Sequence, residues 1–258
     1  MKSHLIAVMA VAGMFCNASM SSPVSGQGTW ETTLQARDLN ADGVADAFYD
    51  TVLDITWLRD ANVNGANYVP IAANWVSSLA VGGVSGWRLP RMVISELGCF
   101  AAYQQIGGTD CGFNVRTKSG SEVYSEIAHL WYETLGNKAY FAPVTGTVEQ
   151  PGWDVINTAL FQNVQLQAGA RYWIEQPNIA LDWSTTRQWS FYMQNGYQGI
   201  DNPYHNNFAM AVHAGDVGVA LVAEPESLAL AVTALLGLVL SRRSRHSRDG
   251  SISKTRAP

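Results

Sequence analysis

The sequence predicts an α+β domain of short antiparallel strands, two or three helices and long loops, with an N-terminal signal and a C-terminal hydrophobic helix outside it. Three observations predict this. Apolar residues alternate in several short runs, whereas helical spacing is sustained in only two stretches. Glycine (23), tryptophan (9) and tyrosine (10) are plentiful, and only 14% of the 258 residues are charged, which suits a loop-rich surface domain rather than a helical bundle. Apolar runs also stand at both ends of the chain, outside the patterned body.

The net charge of −5 hides an asymmetry. Residues 26–227 hold nine of the sixteen Lys and Arg but twenty of the twenty-one Asp and Glu, for a net charge of −11. Such a body repels phosphate backbones, which excludes nucleic acid as a partner and suits cations or neutral glycans.

Residues 1–26 have the order of a secretory signal. Lys2 and His4 precede an apolar run at residues 5–15, of h-region length and too short to span a bilayer, with cleavage expected after Ala18 or near Gly26. Cys16 follows Phe15, where lipidation needs a small residue. The body is expected at residues 27–220. Residues 221–248 hold Glu224, Pro225, Glu226 and Ser227, then an apolar run at 228–240, then Arg242, Arg243 and Arg245, and 249–258 is a short tail. The apolar run is short beside the roughly 20 residues of a transmembrane helix, and the arginines would hold its end on the cytoplasmic side.

Within the body, residues 29–34 are expected to form a first strand. Asp38, Asn40, Asp42 and Asp46, with Gly43 at the sixth place and Asp50 beyond, alternate oxygen ligands as a calcium loop requires. Tyr49 stands where an EF-hand has its glutamate, so the pattern is closer to the loops of dockerin and thrombospondin repeats. Structural calcium is one reading of these residues, and a polar turn between strands is the other. Residues 52–58 alternate as a strand. Ile71, Trp75 and Leu79 have helical spacing, and Gly82 and Gly83 end that helix. Residues 121–135 form the second helix, with Val123, Ile127, Leu130 and Trp131 inward and Glu122, Glu126, His129 and Glu133 on a solvated stripe. Glu126-x-x-His129 has a spacing used by di-iron sites but lacks a second copy. Further strands are expected at 161–166, 171–174, 188–194 and 208–212, with Asn195-Gly196 as a hairpin turn.

Two stretches carry family resemblances. Gly82-Gly83-Val84-Ser85-Gly86-Trp87-Arg88-Leu89-Pro90, preceded by a strand and a helix bearing a tryptophan, resembles the signature of the Lcl C-terminal domain family of bacterial surface and secreted proteins. That resemblance implies a C-type-lectin-like fold. It also implies a segment matched here by Gly98-Cys99 and by Gly107 to Gly112 around Cys111. Cys99 and Cys111 are the cysteines left after signal removal and are expected to pair in an oxidising compartment, a closure worth roughly 3 kcal/mol. The chain departs from the family at Arg91, at Ile174-Glu175 and at His213. Residues 224–245 resemble the PEP-CTERM sorting signal. Here the departures are Ala223, in place of the first proline, and the tail beyond the arginines. That second resemblance implies recognition by an inner-membrane exosortase, a transient stay in that membrane, and delivery to the envelope, cell surface or extracellular matrix.

Motifs of hydrolases, metalloproteases, redox dithiols and phosphate loops are absent from the sequence. The expectation is therefore a non-enzymatic binding or structural module associated with exopolysaccharide or a surface glycan. Trp183, Tyr192, Tyr197 and Tyr204 are its candidate stacking platforms, though core or sheet-face positions suit the same residues. The scaffold role of an arginine flanked by Trp87 and Leu89 competes with ligand contact for Arg88. An envelope glycan hydrolase using Glu175 and Asp182, or a matrix filler without a ligand, are the alternatives.

Overall fold

A computed structural model describes residues 23–93, 111–115, 118–119, 122–143, 147–175 and 188–220. The chain divides after Ala220 into two compact units, and every described residue belongs to the first. That unit is a mixed α+β structure with antiparallel sheets and few helices. No described helix is long and apolar enough to cross a membrane. The sorting residues Glu224, Pro225, Glu226, Arg242, Arg243 and Arg245 lie outside the described residues, as do residues 1–22 of the expected signal, Cys99 and Trp183.

The first described element is one helical turn, α1 (Trp30–Thr33), where a strand was expected. The carbonyl of Thr29 accepts the amides of Thr32 and Thr33 and both their hydroxyls, and this local bonding wins over the alternation. Strand β1 (Leu34–Asp38) follows, and pairs antiparallel with β2 (Ala47–Asp50) in the register Leu34 to Asp50 and Arg37 to Ala47. Only the second half of the expected 52–58 strand is extended, as β3 (Ile55–Leu58). Residues 51–54 form the turn before it. Asp50 Oδ1 accepts the amides of Val52 and Leu53, and Asp54 adopts a φ of 52°, so the turn is closed by a side chain that alternation does not register.

Helix α2 (Val69–Ser78) starts two residues before the expected position, with Pro70 in its first turn. It buries Val69, Ala72 and Val76, while Ile71 is 48% exposed. The core-facing stripe is thus one step round from Ile71, Trp75 and Leu79. Two short paired strands, β4 (Lys118–Ser119) and β5 (Glu122–Val123), follow, and β5 occupies the start of the expected 121–135 helix. The helix proper, α3 (Glu126–His129), is capped by Ser125 Oγ, which accepts the amide of Ala128, and continues as a π-helical turn over Leu130–Thr134. His129 is buried rather than solvated. Residues 161–166 form no strand; Gln162 makes only an isolated bridge to Asp60.

Strands β6 (Tyr172–Trp173), β7 (Gln188–Phe191) and β8 (Gln198–Asp201) form a three-stranded antiparallel sheet, with Gly196 at a φ of 76° in the turn joining the last two. Trp189, Phe191 and Met193 are buried as their alternation requires. The expected 208–212 strand is displaced: β9 is Val212–Ala214, with β10 at Val219–Ala220. The larger sheet has the order β10-β1-β2-β3-β9. Residues before β9 join the two sheets, since Trp173 N–H donates to Phe208 O and Leu58 N–H to Ala211 O, both at 2.9 Å. Trp57, Trp131 and Tyr172 are fully enclosed in the larger core cluster, and Trp87, Leu89 and α2 close a second one.

The turn before Trp87 shows why two glycines stand there. Val81 and Val84 pair across it, and Gly82 and Gly83 have φ of 57° and 85°, the doubly left-handed turn that only glycine adopts cheaply. A Cβ on Gly82 would lie 1.8 Å from the carbonyl oxygen of Leu39, whereas one on Gly83 meets nothing within 4 Å. Gly82→Ala should therefore cost at least about 3 kcal/mol of unfolding free energy. Gly83→Ala should cost only the backbone strain, about 1–2 kcal/mol. Urea melts of the two variants check the order.

Candidate functional site

The stretch from Trp87 to Val93 is the tie between the parts of the domain. Arg88 exchanges both main-chain hydrogen bonds with Val212 at 2.9 Å, on the outer edge of β9. Pro90 O accepts the amide of Glu175, Met92 N–H donates to Glu175 O, and Val93 N–H donates to Tyr124 O. Trp87 is buried with its indole N–H on Val84 O and its ring edge-on to His213 at 5.7 Å. Trp87 and Leu89 wall a chamber of about 110 Å³ against Val69 and Val76 of α2. The guanidinium of Arg88 grips Glu126 with two parallel bonds of 2.7 Å, and Arg91 N–H donates to the same carboxylate. Both side chains are largely shielded, 16% and 17% exposed. Arg88 is thus committed to holding α3 against β9.

The five candidate calcium ligands do not converge. Asp38, Asn40, Asp42 and Asp46 share the β1–β2 loop, but Leu34 is the partner of Asp50, which places Asp50 at the far end of the hairpin. In the loop, Asp38 accepts the amides of Asn40, Ala41 and Gly43, Asp42 accepts that of Val44, and Asp46 that of Leu39. Burial raises the Asp38 carboxyl, but the amides of Gly43, Ala41, Asn40 and Asp42 outweigh it and hold it below the usual carboxylate range. The loop shapes itself through these bonds. Among the described residues, no group of three or more His, Cys, Asp or Glu is placed to hold a metal ion. Asp50 is fully buried, and Oδ2 has no hydrogen-bond partner. Desolvation pushes its carboxyl above the usual range despite the amides of Leu53 and Val52 and the neighbouring His129 and Trp57.

The aromatic candidates divide. Tyr192 and Tyr197 are half-buried and pack on each other at 5.4 Å. Tyr197 also leans on Phe113, and Tyr192 lies under the guanidinium of Arg171 at 4.7 Å. Tyr204 is 59% exposed and meets Tyr68, 41% exposed, edge to face at 6.2 Å. The loop bearing Tyr204 is pinned to the start of α2, because Val69 N–H donates to Pro203 O, and Asn67 and Asn207 bridge.

Beneath this aromatic pair lies a polar hub that the sequence did not reveal. Asp201, buried at the end of β8, takes Arg171 Nη1 at 2.5 Å, His205 Nδ1 at 2.7 Å, and the Asn202 amide and Asn207 Nδ2 at 2.8 Å each. Burial raises the Asp201 carboxyl, but Asn207, Arg171 and the Asn202 amide together take it below the usual range. The sequence shows an Asp-Asn-Pro turn here, but Arg171 is thirty residues away and only the β6-β7-β8 sheet brings it near. The hub fixes the backbone on which Tyr204 is displayed and presents His205 beside it. The hydrolase pair is not assembled among the described residues: Glu175 is held by Arg91 Nε at 3.0 Å, and Asp182 lies outside them. Cys111 is buried, and its expected partner Cys99 is outside the described residues.

No protein-family model matches the chain, and no match was found among curated proteins or solved structures.

Of the three shifted carboxyls, Asp201 and Asp50 have opposite pH signatures. Asp201 titrates lower in the folded state than in the unfolded chain, so its stabilisation is complete above the ordinary aspartate range near about 4 and is lost as pH falls through its depressed value. Asp201→Asn should cost about 1–2 kcal/mol at neutral pH and flatten the acid limb of the stability curve. Asp50 titrates higher when folded, so its contribution favours folding below the ordinary range and is lost as pH rises through the raised value. Asp50→Asn should therefore leave neutral-pH stability unchanged or increased. Denaturant unfolding across pH tests both signs.

Proposed function

We propose that this chain is an exported protein of the cell surface or extracellular matrix, and that its domain is a non-catalytic module that binds neutral glycan. The single observation that carries the binding function is the exposed Tyr68–Tyr204 pair, held over a saturated polar hub. Aromatic faces beside hydrogen-bonding side chains suit the apolar face and rim hydroxyls of a sugar ring, and a rigid platform loses little entropy on binding. The body charge of −11 supports a neutral rather than a phosphorylated polymer. The secretory pattern at the N-terminus, the resemblance of residues 224–245 to a PEP-CTERM signal and the Lcl-like stretch at 82–90 support export, exosortase handling and a lectin-like fold. A bracing calcium ion belongs to this reading through Asp38, Asn40 and Asp42 of the β1–β2 loop, without Asp46 or Asp50.

The test is retention of the full-length protein on the exopolysaccharide of the producing cell and on a panel of neutral glycans, with calcium and with chelator. Saturable retention, weakened about tenfold by Tyr204→Ala or Tyr68→Ala, is expected. Absence of retention by the folded protein, or retention indifferent to both substitutions, would contradict the reading. Loss of thermal stability in chelator would separate a structural ion from the sugar contact.

A further inference from the structure

A second surface carries an independent feature. Of the five described arginines, Arg37, Arg88, Arg91 and Arg171 each pair with a carboxylate. Arg59 has no ion pair among the described residues. Its guanidinium makes one hydrogen bond, from Nη1 to Ala45 O at 2.9 Å, and its Nε is buried without an acceptor. Leaving a guanidinium so under-used is costly unless something answers it.

Arg59 lines an open chamber of about 260 Å³ between the β1–β2 loop, the end of β3 and the turn after α2. Asp46 and Asp60 stand in the same wall, and Val44, Val63 and Val81 give it an apolar side. The polar groups are pre-set. Asp60 is oriented by the Asn62 amide at 2.8 Å and Asn163 Nδ2 at 2.9 Å, Asp46 by the Leu39 amide, and Arg59 by Ala45 O. Its floor is anchored too, since Arg59 N–H donates to Asp46 O and Gln162 N–H to Arg59 O. In the turn that carries Val63, Asn62 Oδ1 and Asn64 Nδ2 are buried without partners.

We infer that this chamber is a second ligand site, shaped for one neutral sugar ring. A vicinal diol accepts from the guanidinium with one oxygen and donates to a carboxylate with the other, and the valines meet the C–H face. Two carboxylates against one guanidinium disfavour an anion, which would leave both acids unanswered. The inference shares its ligand class with the proposed function but uses a different surface, so either can fail alone.

The experiment is NMR titration of the ¹⁵N-labelled full-length protein with methyl glucoside, methyl mannoside and N-acetylglucosamine, and separately with glucuronate. Neutral glycosides are expected to shift the amides of Arg59, Asp60 and Val81. Arg59→Lys, which keeps the charge but loses the planar fork, should weaken that effect about tenfold. Val63→Trp places bulk at the rim, where Val63 is 51% exposed and the fold is not at risk, and should abolish it. Tyr204→Ala should leave these shifts intact. Shifts confined to the Tyr68–Tyr204 face, a response to glucuronate in preference to the neutral glycosides, or no response at Arg59 would overturn the inference.

Discussion

The double hydrogen bond between Arg88 and Glu126 is the constraint on which the arrangement of this domain depends. A shielded ion pair repays its desolvation only when geometry is good and the remaining donors and acceptors are used. The first condition holds and the second is met in large part. The fork is bidentate, Arg88 also donates to Leu89 O, and Glu126 also accepts the amide of Arg91. Through its main chain Arg88 is part of the edge of the larger sheet, and through Glu126 it reaches the first turn of α3. Ser125, one residue earlier, caps that helix and donates to Gln198 of β8. One side-chain pair thus couples the five-stranded sheet, the helix and the three-stranded sheet.

Function can then be displaced to the periphery. Arg88, Trp87 and Leu89 are occupied with each other and with the core, so the most distinctive stretch of the sequence is architectural. The surfaces with unspent chemistry lie elsewhere: the Tyr68–Tyr204 pair above Asp201, and the chamber at Arg59. The same segment helps to place both. Gly82 sits against Leu39 at the base of the β1–β2 loop, whose other end supplies Asp46 to the chamber, and Leu89 packs in the cluster that seats α2 beside Tyr68.

How much of this was legible varies with the range of the interactions. The β6-β7-β8 meander could be read because alternation and an Asn-Gly turn are local signals, and α2 because of its helical spacing, although it ends at Ser78 and Gly82 and Gly83 form a separate turn beyond it. The turn at 51–54 could not, since Asp50 bends the chain by bonding the amides of Val52 and Leu53 at the start of a run that alternates. Residues 121–135 misled because periodicity reports a face but not whether it is covered. Glu126 and His129 look like one solvated stripe, yet the first is claimed by an arginine thirty-eight residues away and the second is buried. The Asp201 hub and the isolation of Arg59 are properties of tertiary placement, and no spacing in the sequence encodes them.

The most direct measurement of the central claim is a double-mutant cycle on unfolding free energy with Arg88→Ala, Glu126→Ala and the pair. A coupling of about 2 kcal/mol or more is expected, the two single variants each losing nearly as much as the double. A coupling near zero, with the losses simply adding, would contradict the claim. Arg88 would then be an arginine that happens to lie beside a glutamate, and the joining of the two sheets would have to come from the main-chain ladder alone.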